Sequence, residues 1–389
     1  MNVRFRSSRV VRTPLAAALL AGSVVAVSQE AASAAPAAAA ACVSRAGPQP
    51  PAPPGNDSLH GVVVLAACNA WAVGGQNGGS GFDTLIEHWN GARWHVVAGP
   101  NPSPAGSFLS GIAAGSSRDI WAVGNRTVLG VSRSLIEHWT GSAWKVVKSP
   151  DPGAARTAAL NSVAVFPGGA WAVGRYVAGT VNKTLILAWN GRAWRKVASP
   201  NSGPSGNELY GVVAISAGNA WAVGTSAHGA GDRTLTEHWN GTRWRIVKSP
   251  NPGPGINGLS GVSASSDRAV WAVGGAAPSG IFHPLIERWT GSAWRIVNSP
   301  SPSAGGGLND VVALSARNAW AVGSYFDGSI YRTLVEHWHG TQWRRLDFPN
   351  VGSVDDNLYS VAASSAGNLW AVGFYYTQNG SRPLALRCC

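Results

Sequence analysis

The sequence predicts an all-β chain: a seven-bladed β-propeller with four antiparallel strands per blade, the last blade closed by a strand from the N-terminus. Three observations carry this. Trp-Ala-Val-Gly begins at Trp71, Trp121, Trp171, Trp221, Trp271, Trp320 and Trp370, a spacing of 50 residues and once 49. Gly (49) and Pro (24) make about a fifth of the 389 residues, so turns are frequent and long helices disfavoured. Within each repeat, four short apolar runs alternate with turn residues, and four strands per unit of about 50 residues is the period of a propeller blade.

The N-terminus precedes the first repeat. Arg4, Arg6, Arg9 and Arg12 come before an apolar run from Pro14 to Val27, and Ala32-Ser33-Ala34 has the form of a signal-peptidase site. Residues 1–34 are therefore read as a secretory signal, too short to span a membrane, and 35–389 as one exported domain, secreted or cell-wall associated. No other run is long and apolar enough for a transmembrane segment. No adjacent Arg pair marks a twin-arginine signal. Cys42 lies too far beyond the apolar run for a lipoprotein site.

The fourth repeat shows the strands most plainly. Leu209 to Ile215 is a β-branched run, Ser216 to Asn219 a turn, and Ala220 to Thr225 the strand bearing Trp-Ala-Val-Gly. Thr234 to Trp239 is the third strand. Asn240-Gly241 is a hairpin signal, Trp244 to Lys248 the fourth strand, and Ser249-Pro250-Asn251-Pro252 ends it. A second Trp follows the first by 18 residues and a third by 23 in six repeats, and with Trp370 they account for all 19 tryptophans. Such regular placement assigns them to the blade core, where their large apolar area joins neighbouring sheets, rather than to a sugar-stacking set.

The seventh repeat ends after its third strand, Leu384 to Cys388, and residues 40–47 are expected to supply its fourth, with a Pro-rich linker to residue 58. Cys42 precedes Pro48 as Trp94 precedes Pro100, which aligns Cys42 with the third-Trp station and Cys388 with the second. With a four-residue hairpin loop those stations are directly opposed, and a Cys42–Cys388 disulfide would tie the ring shut. Four Cys allow three pairings, and Cys68–Cys389 is the second candidate bridge.

These repeats resemble Kelch or galactose-oxidase-like propeller blades. Gly74-Gly75 and Gly274-Gly275 stand as the double glycine after the second strand, and Trp89 and Trp94 as the spaced aromatic pair. The chain also resembles exported bacterial proteins built from Trp-Ala-Val-Gly repeats, whose activity is unknown. The copper site of galactose oxidase is not implied, because no Cys lies between Cys68 and Cys388.

Charge and chemistry narrow the function. Net charge is +12, and +9 without the four Arg and Glu30 of the signal. His95, Lys145, Arg195, Arg245, Arg295 and Arg344 follow the third Trp on the outermost strand, where charge discourages edge-to-edge association. No basic run interleaved with aromatics points to nucleic acid. Glu87-His88, Glu137-His138, Glu237-His238 and Glu336-His337 recur on third strands, but equivalent positions in adjacent blades lie roughly 13 Å apart, too far to share a metal. No metal, cofactor, phosphate loop or calcium loop is expected.

Ligand candidates sit where the repeats differ, at the second-to-third strand loops: Tyr176, His228, Arg233, His283, Tyr325, Tyr331 and Tyr375. The expectation is a monomeric binding or scaffold module recognising a glycan, cell-surface polymer or other extracellular partner through this loop face. The alternative is a lyase or hydrolase on an acidic polysaccharide with its site at the centre of the same face. His228 or His283 gathered with Tyr and Arg in one central pocket would favour the enzyme.

Overall fold

The computed structural model describes residues 44–46, 48–51, 55–150, 152, 157–229, 231–300, 302 and 304–388, which belong to one compact unit, Ala41–Cys389. The segment read as a signal, Cys42 and Cys389 lie outside the described residues. Seven four-stranded antiparallel sheets form the blades, and there is no helix among the described residues. No helix is long and apolar enough to cross a membrane.

The fourth blade runs Gly206–Ser216, Asn219–Ala227, Asp232–Trp239 and Trp244–Ile246 from axis to rim. Its outer hairpin has a four-residue loop, because Trp239 stands opposite Trp244. Asn240 turns the chain with its side chain: Oδ1 accepts from the backbone N–H of Thr242 and Arg243, each at 3.1 Å. Gly241 takes φ +90°.

Each sheet is apolar on both faces, because each blade has a neighbour on either side. Along the third strand Leu85, Glu87 and Trp89 face the preceding blade, while Ile86 and His88 face the next. The core is accordingly seven layers between blades. Trp71 meets Trp139 and Trp144 of the following blade, with ring centroids 5.0 and 5.8 Å apart. The same triad recurs from Trp121 to Trp189 and Trp194, and onward through Trp171, Trp221 and Trp271. First and third tryptophans are buried throughout, whereas the second is partly open in the middle blades. His88, His138, His238 and His337 stack on the first Trp of their own blades, and each ring nitrogen bonds the Asn or Asp that opens the second strand.

The last Gly of Trp-Ala-Val-Gly has a steric cause. A Cβ on Gly224 would sit 1.9 Å from the carbonyl oxygen of Glu208, and every equivalent glycine meets the inner strand the same way.

The ring closes as expected, with a different register. Ser44–Ala46 pairs with Gly380–Cys388 as the fourth strand of the last blade. Ser44, not Cys42, stands opposite Cys388, at the third-Trp station. The alignment on Pro48 was two residues off: Ser44 precedes Pro50 as Trp94 precedes Pro100. Gln49 then seals the seam. Its Nε2 donates to the Ala385 carbonyl and its Oε1 accepts the Ala385 N–H, both at 3.1 Å. Cys388 is fully buried in the layer that holds Trp320. Cys68 is exposed and free.

Candidate functional site

Second and third strands continue as hairpins well past the points where the repeats diverge. Val128 pairs with Val131 across Leu129-Gly130, a two-residue turn at φ 51° and 74°. Six of the seven candidate residues are therefore at strand ends, and only His228 is in a turn.

They are spread over five blades. Tyr176 packs in the layer between the second and third blades, with Lys196 Nζ 3.8 Å from its ring centre. His228 Nε2 lies 3.2 Å from Ser226 Oγ, and Arg233 is exposed on the same hairpin, opposite Ser226. His283 opens the third strand of the fifth blade. Tyr325 and Tyr331 share the sixth-blade hairpin, Tyr325 beneath the Arg345 guanidinium and Tyr331 exposed beside Phe326. Tyr375 stands opposite Asp356 and packs inward. None of the seven lines the axial cavity.

That cavity, about 450 Å³, lies on the axis and is lined by all seven inner strands. One device builds it. In every inner strand the pairing skips one residue immediately after the buried Leu, so the skipped residue is a bulge turned toward the axis. The bulged residues are His60, Ser110, Asn161, Tyr210, Ser260, Asn309 and Tyr359, and all of them line the cavity. Sequence reasoning missed this set. The signal was available: one variable position between a repeated Leu and a small residue. Below this ring come Gly61, Gly111, Ser162, Gly211, Gly261, Asp310 and Ser360, where the strands crowd so closely that a Cβ on Gly261 would lie 2.7 Å from the Asp310 Cα.

The mouth opens at the end where blade-to-blade loops enter the inner strands, the same end as the second-to-third hairpins. Its two sides differ. On the third and fourth blades Asn161 donates to Glu208 Oε1 (3.0 Å) and to the Leu209 carbonyl (2.8 Å), and Arg175 Nε pairs with Glu208 at 3.0 Å. Tyr210, 37% exposed, stands beside this group, and burial pushes its hydroxyl pKa up. On the seventh, first and second blades the mouth is aromatic. His60 stacks on Tyr359 at 4.0 Å and meets Phe108 edge-on at 4.8 Å. Burial holds the His60 pKa down at about 4, so the ring is neutral.

Asp310 is the carboxylate deepest in the cavity. It accepts from Ser360 Oγ (2.9 Å) and the N–H groups of Val361 (3.0 Å) and Val311 (2.8 Å), and burial still raises its pKa to about 6. These bonds run to its own blade and the next, which makes Asp310 a tie between inner strands. Among the described residues no group of His, Cys, Asp or Glu is arranged to hold a metal ion.

Comparison with known proteins bears on the fold. No protein-family model and no curated protein matches the chain. Many solved structures are similar, two of them as follows. YCF48 bound to D1 peptide has a TM-score of 0.54 and 15% identity, over 87% of this chain and 95% of that one. The GH74 xyloglucanase from Xanthomonas campestris has a TM-score of 0.54 and 14% identity, over 85% of this chain. This chain spans about half of the xyloglucanase, 54% of its length. At such identities the likeness shows the propeller fold and no more.

Proposed function

We propose that this protein is an exported, Kelch-like propeller that binds an extracellular ligand, a glycan or a peptide, at the axial mouth of its hairpin face. The observation that carries this is the ring of seven bulges, which turns one side chain of each inner strand, differing between repeats, toward one cavity on an otherwise repeated scaffold. Rigid strands hold the position while the side chain varies, the division of labour a recognition site needs.

Binding is favoured over catalysis because the residues suited to acid–base work are dispersed. His228 and His283 stand on different hairpins outside the cavity, and Asp310 has its oxygens engaged in ties between strands. The N-terminal basic and apolar segment supports export. A Cys42–Cys388 bridge would lock the seam in an oxidising compartment.

The test is a glycan array and a peptide array probed in parallel with the mature chain and with Tyr210→Ala. The reading expects a ligand whose binding Tyr210→Ala weakens. Binding indifferent to Tyr210 but abolished by Arg195→Glu and Arg245→Glu would move recognition to the rim and overturn it.

A further inference from the structure

The aromatic side of the mouth continues beyond the cavity. Starting from Phe82 on the first blade, the rings run Phe108, His60, Tyr359, Phe374 and Tyr376, each in contact with the next at centroid distances of 4.0–5.8 Å. The row crosses three blades, including the interface between the last and the first. The inner rings are half-buried, whereas the two ends, Phe82 (43%) and Tyr376 (40%), are exposed.

A second pocket of about 330 Å³ lies along this row, in the lower range of small-molecule sites. Besides Phe82, Tyr359, Phe374 and Tyr376 it is lined by Asn56, Ser58 and Ser381, so hydroxyl and amide groups edge an aromatic floor with no charged side chain. Asp57, next in sequence to both Asn56 and Ser58, is buried and accepts the Asn77 N–H at 2.9 Å, so it does not present its charge to the pocket.

We infer that this aromatic arc binds a neutral oligosaccharide, the C–H faces of its pyranose rings lying on Phe82 and Tyr376 and its hydroxyls meeting Asn56, Ser58 and Ser381. The inference rests on the axial-mouth reading above and names its ligand class. Three properties point to a neutral sugar. Aromatic faces attract the weakly positive C–H face of a pyranose, as they do other positive edges. Hydroxyl and amide groups exchange hydrogen bonds with sugar hydroxyls without burying an unpaired charge. No cation lines the pocket to recognise a uronate or sulfate, whereas the charged pair Arg175–Glu208 sits across the axis. Phe82 and Tyr376 end the row of six rings and line the same pocket, so one bound saccharide can meet both exposed platforms.

The experiment is calorimetric titration of the mature chain with neutral gluco-, manno-, xylo- and galacto-oligosaccharides of one to six units, and with oligogalacturonate and a sulfated tetrasaccharide. Phe82→Ala and Tyr376→Ala are compared with Phe282→Ala, an equally exposed phenylalanine on the fifth blade. All three sites are on the surface, and equal melting temperatures establish that the variants fold. The expected result is binding of the neutral saccharides that is weakened about tenfold by each arc variant, with Phe282→Ala unchanged. Preference for the acidic ligands, or neutral binding untouched by the arc variants, overturns the inference. Silence on every saccharide together with a peptide hit lost in Tyr210→Ala overturns it and leaves the axial-mouth reading standing. Silence on saccharides and peptides alike sinks both.

Discussion

Trp370 of the seventh blade packs against Trp89 of the first, ring centroids 5.0 Å apart, across the interface between the last blade and the first. Trp94 reaches the same ring edge-on at 5.0 Å. This interface thus has the same aromatic triad as most others. The layer between the sixth and seventh blades departs from it, since there Trp320 shares its cluster with Cys388. Replacing Trp370 by Ala should cost about 3–5 kcal/mol, the range for truncating a buried aromatic. Urea unfolding monitored by circular dichroism measures it. A loss below about 1 kcal/mol would mean that the interface between the last and first blades does not bear on ring stability.

Gly224 offers a sharper steric test. An added methyl would meet the Glu208 carbonyl oxygen at 1.9 Å and the Leu209 Cα at 2.8 Å, both backbone atoms that cannot swing away. Gly224→Ala should destabilise by more than the ~1–3 kcal/mol of ordinary overpacking, while Gly218→Ala, whose nearest neighbour is 3.9 Å away, should change stability little. Equal effects at the two positions would contradict the close-approach account of Trp-Ala-Val-Gly.

A third expectation concerns pH. Glu87, Glu137, Glu237, Glu287 and Glu336 are fully buried between blades. Ser199, Ser249 and Ser299 of the preceding blades donate to Glu237, Glu287 and Glu336. Glu137 faces Gly99, at the station those serines occupy. Burial pushes Glu87 up to about 9, Glu137, Glu237 and Glu287 to about 8, and Glu336 to about 7. The folded chain keeps protons that the unfolded chain has lost above pH 4.5, so stability falls as pH rises toward the folded values and then levels. His60 and His337, held down at about 4, act oppositely, but only below pH 6.5. The melting temperature should therefore fall between pH 6.5 and 8. Glu137→Gln should flatten that slope by at most about 1.4 kcal/mol per pH unit. A melting temperature that rises over this window would contradict the burial of neutral carboxyls.

The seam bridge makes a fourth expectation. Peptide mapping under non-reducing conditions should recover Cys42 joined to Cys388, and reduction should lower stability by roughly 6 kcal/mol, the chain-entropy figure for so long a loop. Recovery of an unmodified Cys42 would dispose of the bridge.

Much of the fold was legible because the repeat states the same strand pattern seven times. Trp239 and Trp244 fixed the outer hairpin, and the early stop after Cys388 revealed the N-terminal closing strand. The closing register was not, because Gly47-Pro48-Gln49-Pro50 contains two prolines and the wrong one was matched. The site was less legible still. A bulge leaves composition unchanged and shifts only the pairing, so His60 and Tyr359 read as ordinary strand residues, although they face the axis. Tyr176, Tyr325 and Tyr375 seemed free in variable loops, but the strands run on through them and turn them onto neighbouring blades.

The central claim is that ligand meets the chain at the axial mouth. Hydrogen-exchange footprinting of the mature chain, with and without the oligosaccharide or peptide that binds it best on the arrays, tests this most directly. The account expects protection at residues 56–60, 107–110, 357–360 and 374–376. Protection confined to the outer strands around Arg195, Arg245 and Arg295 would contradict it.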